Sequence, residues 1–169
     1  NRPGAGGSIG ADAGAKAPPD GYTLLMADTS SIGINPWLYK SLPYNPETDF
    51  APIGQAIMTS FTLSVHPSVP ATDLKSFVAA VRAAPGKYVY GSPGIGTTPH
   101  LCAEMVKSMS GGLDIVHAPY RGAGPAVNDL VAGQIAMSFL VPATLLPHKQ
   151  AGALRALGAE RIGHGLTAA

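Results

Sequence analysis

The stretch "YGSPGIGTTPH", residues 90–100, gathers residue types suited to holding an anion. Gly94 and Gly96 permit positive φ and close approach of a ligand to the backbone. Thr97 and Thr98 supply hydroxyls where a helix is expected to begin, with Ser92 and His100 on either side. The first turn of such a helix has N–H groups without intrahelical partners, and its dipole favours negative charge. The same residues also describe a tight turn with a threonine cap and no ligand. A phosphate loop of the Walker type needs Gly-Lys-Ser/Thr, and no lysine stands here; a dinucleotide fingerprint needs a third glycine and a later acidic residue.

Two further loops carry polar groups. In "DTSSIGIN", residues 28–35, Ser30 and Ser31 either face a ligand at the carboxyl edge of a sheet or, with Asp28, cap the next turn. In "PYRGAGP", residues 119–125, Tyr120 offers a hydroxyl and Gly122 a point of close approach, while Arg121 is a ligand cation or a solvated surface charge. Catalytic groupings are scarce. Ser92 lies in Gly-Ser-Pro-Gly rather than a Gly-x-Ser-x-Gly elbow. His66, His100, His117, His148 and His164 form no His-Glu-x-x-His or i, i+4 pair, and the carboxylates are spread along the chain. Neutral donors without an acid–base pair fit a binder better than an enzyme, and they call for no metal and no cofactor.

These loops need elements to position them. Residues 8–17 read as an Ala-rich helix with Ser8 as its N-cap, ended by "APPDG", and "YTLLMA" (22–27) reads as a buried strand. Asn35-Pro36 begins a short helical turn, and residues 50–68 read as two strand pieces with a crossing between them. Leu74, Phe77, Val78 and Val81 fall at i, i+3, i+4 and i+7, which predicts a helix stopped by Pro85-Gly86. "YVYGS" is a strand, residues 99–109 a helix with a stripe of Leu101, Cys102, Met105 and Met109, and "DIVHAPY" another strand. A helix with Pro125 at N1 and Gly133 at C′, the strand "QIAMSFLV", a helical segment at "PATLLPHKQAG" and the strand "LRALG" complete the pattern. Alternating strands and helices predict an α/β fold with a largely parallel sheet and flanking helices. The tail "AERIGHGLTAA" has no clear period.

Composition narrows the classes further. Of 169 residues, 46% are hydrophobic and 12% charged, so the chain can build a core; 21 Gly and 16 Pro point to short elements joined by defined turns. A net charge of +1 without a basic stripe gives nucleic acid nothing to bind. The lone Cys102 falls in an apolar helical pattern and reads as a buried structural thiol. The apolar runs are broken before they reach the length of a membrane span.

The segments "NRPGAGGSIGAD", "APPDGYTLLMADTSS", "INPWLYKSLPYNPETDFAPI", "VHPSVPATDLKSFVAAVRAAPGK", "YGSPGIGTTPHLCAEMVKS", "IVHAPYRGAGPAVNDLVAGQIAMSF" and "GALRALG" stand in the order seen in a known family. They resemble the extracytoplasmic solute receptors of the tripartite tricarboxylate transporter system, the Bug-type or TctC-like periplasmic binding proteins. The resemblance implies a two-lobed fold like that of type II periplasmic binding proteins, a small organic acid held between α/β lobes, and delivery to membrane permease subunits. It implies ligand contacts from Ser92, Gly96, Thr97, Thr98 and His100, from Thr29 and Ser30, and from Tyr120, Val141 and Pro142. It divides the chain into part of a first lobe (1–51), a second lobe (52–153) and a return toward the first (154–169). It further implies that a strand and a Pro-Gly-Gly loop forming the opposing wall belong upstream of these residues. An α/β enzyme or nucleotide-handling domain using the 92–98 loop as its anion cradle is the competing reading.

Overall fold

The helix at residues 74–83 shows how local chemistry fixes an element. Asp73 accepts a hydrogen bond from Ser76 N at 2.7 Å, and Ser76 Oγ accepts from Asp73 N at 3.1 Å. This reciprocal box satisfies helix-end donors, and Phe77 and Val81 then enter the core one turn apart. Val78 packs at its edge, whereas Leu74, expected on the same face, stays exposed.

The computed structural model describes residues 2–158. In chain order it contains α1 (Ser8–Ala15), α2 (Asn35–Leu38), β1 (Thr62–Val65), α3 (Leu74–Ala83), β2 (Val89–Ser92), α4 (Thr98–Met109), β3 (Val116–Pro119), α5 (Ala123–Val131), β4 (Met137–Leu140), α6 (Pro142–Gln150) and β5 (Arg155–Leu157). A 3-10 turn at Ala5–Gly7 leads into α1, and a π-helical turn at Ser30–Ile34 leads into α2.

The five strands form one sheet in the order β3-β2-β4-β1-β5. β2 runs parallel to both β3 and β4, while β1 is antiparallel to β4 and β5. Four strands therefore share one direction and β1 opposes them. The expected mostly parallel sheet is present, with one reversed strand inside it. Leu63, Val65, Phe77, Val81, Tyr90 and Met137 form the centre of the main core, and Leu130, Leu145 and Leu154 anchor a second cluster. The shared direction of β2, β3 and β4 delivers residues 93, 120 and 141 to the same sheet edge, where α/β folds bind ligands.

Several expectations are corrected. Residues 22–27 form no strand: Tyr22, Leu24 and Met26 are exposed, and no described segment pairs with them in a hydrogen-bonding ladder. In 50–68 only Thr62–Val65 is a strand, and residues 51–60 are exposed throughout. Ser8 is the first helical residue of α1 and Gly7 its N-cap; Ser8 Oγ is occupied by Asn35. Pro125 is the third residue of α5, a position whose N–H would have no intrahelical partner in any case. The buried side of α4 is Pro99 and Ala103, with Cys102 and Val106 packed beside them, while Met105 and Met109 face outward. Residues 155–157 pair with β1 as the fifth strand of the sheet. The tail from 159 lies outside the described residues.

Candidate functional site

A cleft of about 370 Å³ opens at that sheet edge. One wall is Pro93 and Thr97 from the loop between β2 and α4, with Gly122 from the loop after β3. The opposing wall is the glycine loop at residues 2–7, the first turns of α1, and Leu25, Met26, Asp28 and Ser31.

The 92–98 loop is held by its own side chains. Ser92 is fully buried; its Oγ donates to Gly94 O at 3.1 Å, accepts from Gly94 N at 3.2 Å and shares a 2.7 Å hydrogen bond with His117 Nε2. Thr97 Oγ1 donates to Gly94 O at 2.7 Å. Gly96 has φ of +81°, and a methyl group there would overlap Leu38 Cδ2, so both the turn and the close packing require glycine. Gly122 N donates to Pro93 O at 3.1 Å and ties the second loop to the first.

The two walls are fastened to each other. Ser30, almost entirely buried, accepts from Thr98 N at 3.1 Å and lies 3.3 Å from Thr98 Oγ1. It therefore caps α4 from a distant segment, which matters because the N-cap residue Thr97 makes no side-chain capping bond. Asn35, fully buried, donates through Nδ2 to Gly6 O at 3.1 Å and Ser8 Oγ at 2.9 Å, fixing the opposing glycine loop.

Behind the 92–98 loop the aromatic side chains stack. His117 lies 4.5 Å from the Tyr90 ring, nearly parallel to it, and 4.5 Å from the His100 ring, centroid to centroid, with Tyr90 and His100 themselves 6.4 Å apart. Burial pushes His117 down to about 4, with His100 a secondary like-charge cause, and burial also lowers His100. Both imidazoles are thus favoured neutral, consistent with His100 Nδ1 accepting from Gly96 N at 3.3 Å. Tyr90 donates to Glu104 Oε1 at 2.6 Å, and Lys107 reaches the same oxygen at 2.8 Å. Burial and the Glu104 bond raise Tyr90; burial alone would raise Glu104, but its Lys107 and Tyr90 bonds win and lower it.

Of the ten candidate residues, Thr97 lines this cleft. Ser30, Ser92, Gly96, Thr98 and His100 are brought together just behind it as the loop's supports. Thr29 is exposed beside them. Tyr120 turns its hydroxyl to Asp129 Oδ2 at 2.6 Å, an arrangement that, after partial burial, helps push it up to about 12. Val141 and Pro142 open α6 on the same sheet edge but do not line the cleft. The wall at residues 3–7 went unassigned as a site, although "PGAGGSIGAD" has the same glycine-loop-then-helix signature as the 92–98 loop. Gly4, Gly6 and Gly7 all adopt positive φ, and so does Ala5 at 46°. Asn35 carries no sequence signal beyond preceding Pro36.

The family model of the tripartite tricarboxylate transporter family receptor, TctC, matches residues 1–162. The chain belongs to this receptor family. BugT of Bordetella pertussis is 35% identical over 158 residues, which is 93% of this chain and 48% of that protein. A Pseudomonas UPF0065 protein from the tcbD-tcbE intergenic region is 38% identical over 137 residues, 81% of this chain and 40% of that protein. Among solved structures, a periplasmic transporter superposes with a TM-score of 0.89 at 46% identity, over 93% of this chain and 52% of that one. Rpa4515 of R. palustris with adipate gives 0.88 at 33% identity, over 93% and 52%. MatC from Rhodopseudomonas palustris with bound malate gives 0.82 at 27% identity, over 90% and 52%. The TctC-family chain described here spans about half the length of these relatives. Among its described residues no helix is long and apolar enough to cross a membrane.

Proposed function

We propose that this chain carries the carboxylate-binding half of an extracytoplasmic solute receptor, which holds a small organic acid and delivers it to membrane permease subunits. The supporting observation is the cleft itself: two glycine-rich loops, each leading into a helix, face one 370 Å³ space that also receives Gly122 at the start of α5. Backbone amides at the starts of the helices that open on the cleft bind a carboxylate by charge-assisted hydrogen bonds without a lysine clamp, and Thr97, whose hydroxyl donates to Gly94 O, lines the space beside them. In this reading Thr97 touches the ligand, while Ser30, Ser92, Gly96, Thr98 and His100 keep the loop in shape. Thr29, Tyr120, Val141 and Pro142 act from farther along the same edge.

The adipate and malate held by Rpa4515 and MatC support the ligand class. The receptor family supports periplasmic placement and a binding rather than enzymatic role. On this reading residues 1–51 belong to the first lobe and 52–153 to the second, with the chain returning toward the first from 154. Calorimetry with succinate, adipate, malate and citrate, set beside ATP and NAD, tests the proposal. Heat from an organic acid that is lost in Thr97→Val supports it; stabilisation by nucleotides alone refutes it in favour of the nucleotide-handling reading.

A further inference from the structure

The 92–98 loop is fastened mostly by groups that do not titrate. Ser92 Oγ, Thr97 Oγ1 and Thr97 N all donate to Gly94 O, and Ser30 Oγ caps Thr98 N. Gly96 N is the exception. Its one acceptor among the described residues is Nδ1 of His100, at 3.3 Å. An imidazole nitrogen accepts a hydrogen bond only while it carries no proton, so this bond requires the neutral ring to be the Nε2–H tautomer. A proton placed on Nδ1 sets donor against donor and strips Gly96 N of its partner. Gly96 directly precedes Thr97, which lines the cleft, and it packs against Leu38 of α2.

The surroundings set when that proton arrives. His117 of β3 stacks 4.5 Å from the His100 ring and Tyr90 of β2 lies 6.4 Å away, while Glu104 and Lys107 face it from α4 itself. Burial is the largest influence and disfavours the imidazolium; Glu104 opposes it, and Lys107, bonded to Glu104 at 2.8 Å, acts with burial. The ring is therefore neutral at neutral pH and takes its proton below its ordinary value of 6.5. Gly94 and Gly96, both at positive φ, give a released loop backbone freedom. We propose that His100 is a proton-operated latch on the 92–98 loop, the neutral ring fastening Gly96 and the imidazolium releasing it. The latch stands on the loop's own hydrogen bonds and needs no ligand. What it regulates, the hold of the Thr97 wall on a solute, rests on the receptor reading above.

Nitrogen-15 spectra of the labelled 169-residue chain, followed from about pH 8 to about pH 5, test the latch. At neutral pH the His100 ring should show the Nε2–H tautomer. On acidification the Gly96 amide should shift with the same midpoint as the ring, and its protection against exchange should fall by about three- to tenfold, the size of one net hydrogen bond. His100→Asn places an oxygen that takes no proton where Nδ1 stood, so Gly96 should stay protected and lose its pH response. His100→Ala removes the acceptor and should give the acid-state exchange at every pH, with unchanged β-sheet amides as the check on folding. A Gly96 amide that ignores protonation of His100, an Nδ1–H tautomer at neutral pH, or a pH response that survives His100→Asn overturns the latch. Calorimetry with succinate, adipate, malate and citrate over the same range reads its consequence: affinity should fall more steeply with acid in the unaltered chain than in His100→Asn. Equal steepness overturns the regulatory role. Silence toward all four acids overturns the receptor reading and that role with it, while the spectra still decide the latch.

Discussion

Ser30→Ala is the sharpest single test of how the cleft is assembled. Ser30 Oγ is the only side-chain acceptor recorded for Thr98 N among the described residues, at 3.1 Å, and the residue is 1% exposed. Loss of an N-cap oxygen costs about 1 kcal/mol, and a buried donor left without a partner costs about 1–3 kcal/mol. Both figures describe the same bond, so they are alternatives and not a sum; Thr98 is only half-buried, which favours the lower range. The expected loss is about 1–2 kcal/mol, read as a lower urea midpoint with an unchanged slope. Amide exchange at Thr98 should accelerate with it, because the cap acts there directly. Adding Thr98→Ala to Ser30→Ala should cost little more, since the Thr98 hydroxyl has already lost its Ser30 partner. An unchanged midpoint with unchanged exchange at Thr98 would refute the assignment of Ser30 as the cap of α4.

Two other outcomes follow from the same loop. Gly96→Ala places a methyl against Leu38 Cδ2 at a φ of +81°, and should destabilise by about 1–3 kcal/mol; Leu38→Ala in the same chain should restore only the steric part, and full restoration would contradict a backbone requirement. Burial lowers His117 to about 4 and His100 below its ordinary value of 6.5, so the unfolded chain binds more protons between those limits. Stability on their account is complete above about pH 6.5 and is lost as the pH falls toward 4. The groups facing this pair are Tyr90, Ser92, Glu104 and Lys107; His117→Asn should flatten the pH–stability curve in that window, and an identical slope in the variant counts against the stack as its source.

Elements whose information is local were legible in the sequence. The helix at 74–83 announced itself through an apolar i, i+3, i+4, i+7 pattern and the Pro85-Gly86 stop; the alternation of β2, α4, β3, α5, β4 and α6 came from turn residues at each junction. What failed depends on distant partners. "YTLLMA" has the composition of a buried strand, yet strand formation is a property of a pair, and no described segment supplies the other member. The outward turn of Met105 and Met109 is set by where α4 meets the sheet, and methionine periodicity alone does not distinguish that face from its neighbour. At the site, the 92–98 loop was visible from its glycines and threonines. Its division into a lining residue and hidden supports was not, because Ser30 and Ser92 owe their roles to contacts with residues 98 and 117. The glycine loop at 3–7 bore the same signature and passed unused.

Under the proposed function, a site with few cations must recognise a carboxylate by other means. Amide donors are weak individually and strong only when several converge at fixed positions. The loops here are positioned by buried neutral side chains: Ser92 and Thr97 shape one, Asn35 fixes the other, and Ser30 joins them. The two walls are therefore tied to each other where Ser30 caps α4. Substitutions at Ser30 or Asn35, which need not touch a ligand, should weaken acid binding in proportion to how far they loosen the amides. A charged clamp would behave differently, since one lysine keeps its attraction through considerable movement. A cradle of amides loses most of its hold when the walls shift, so affinity is coupled to the relative position of the two walls in a way a single ion pair would not be.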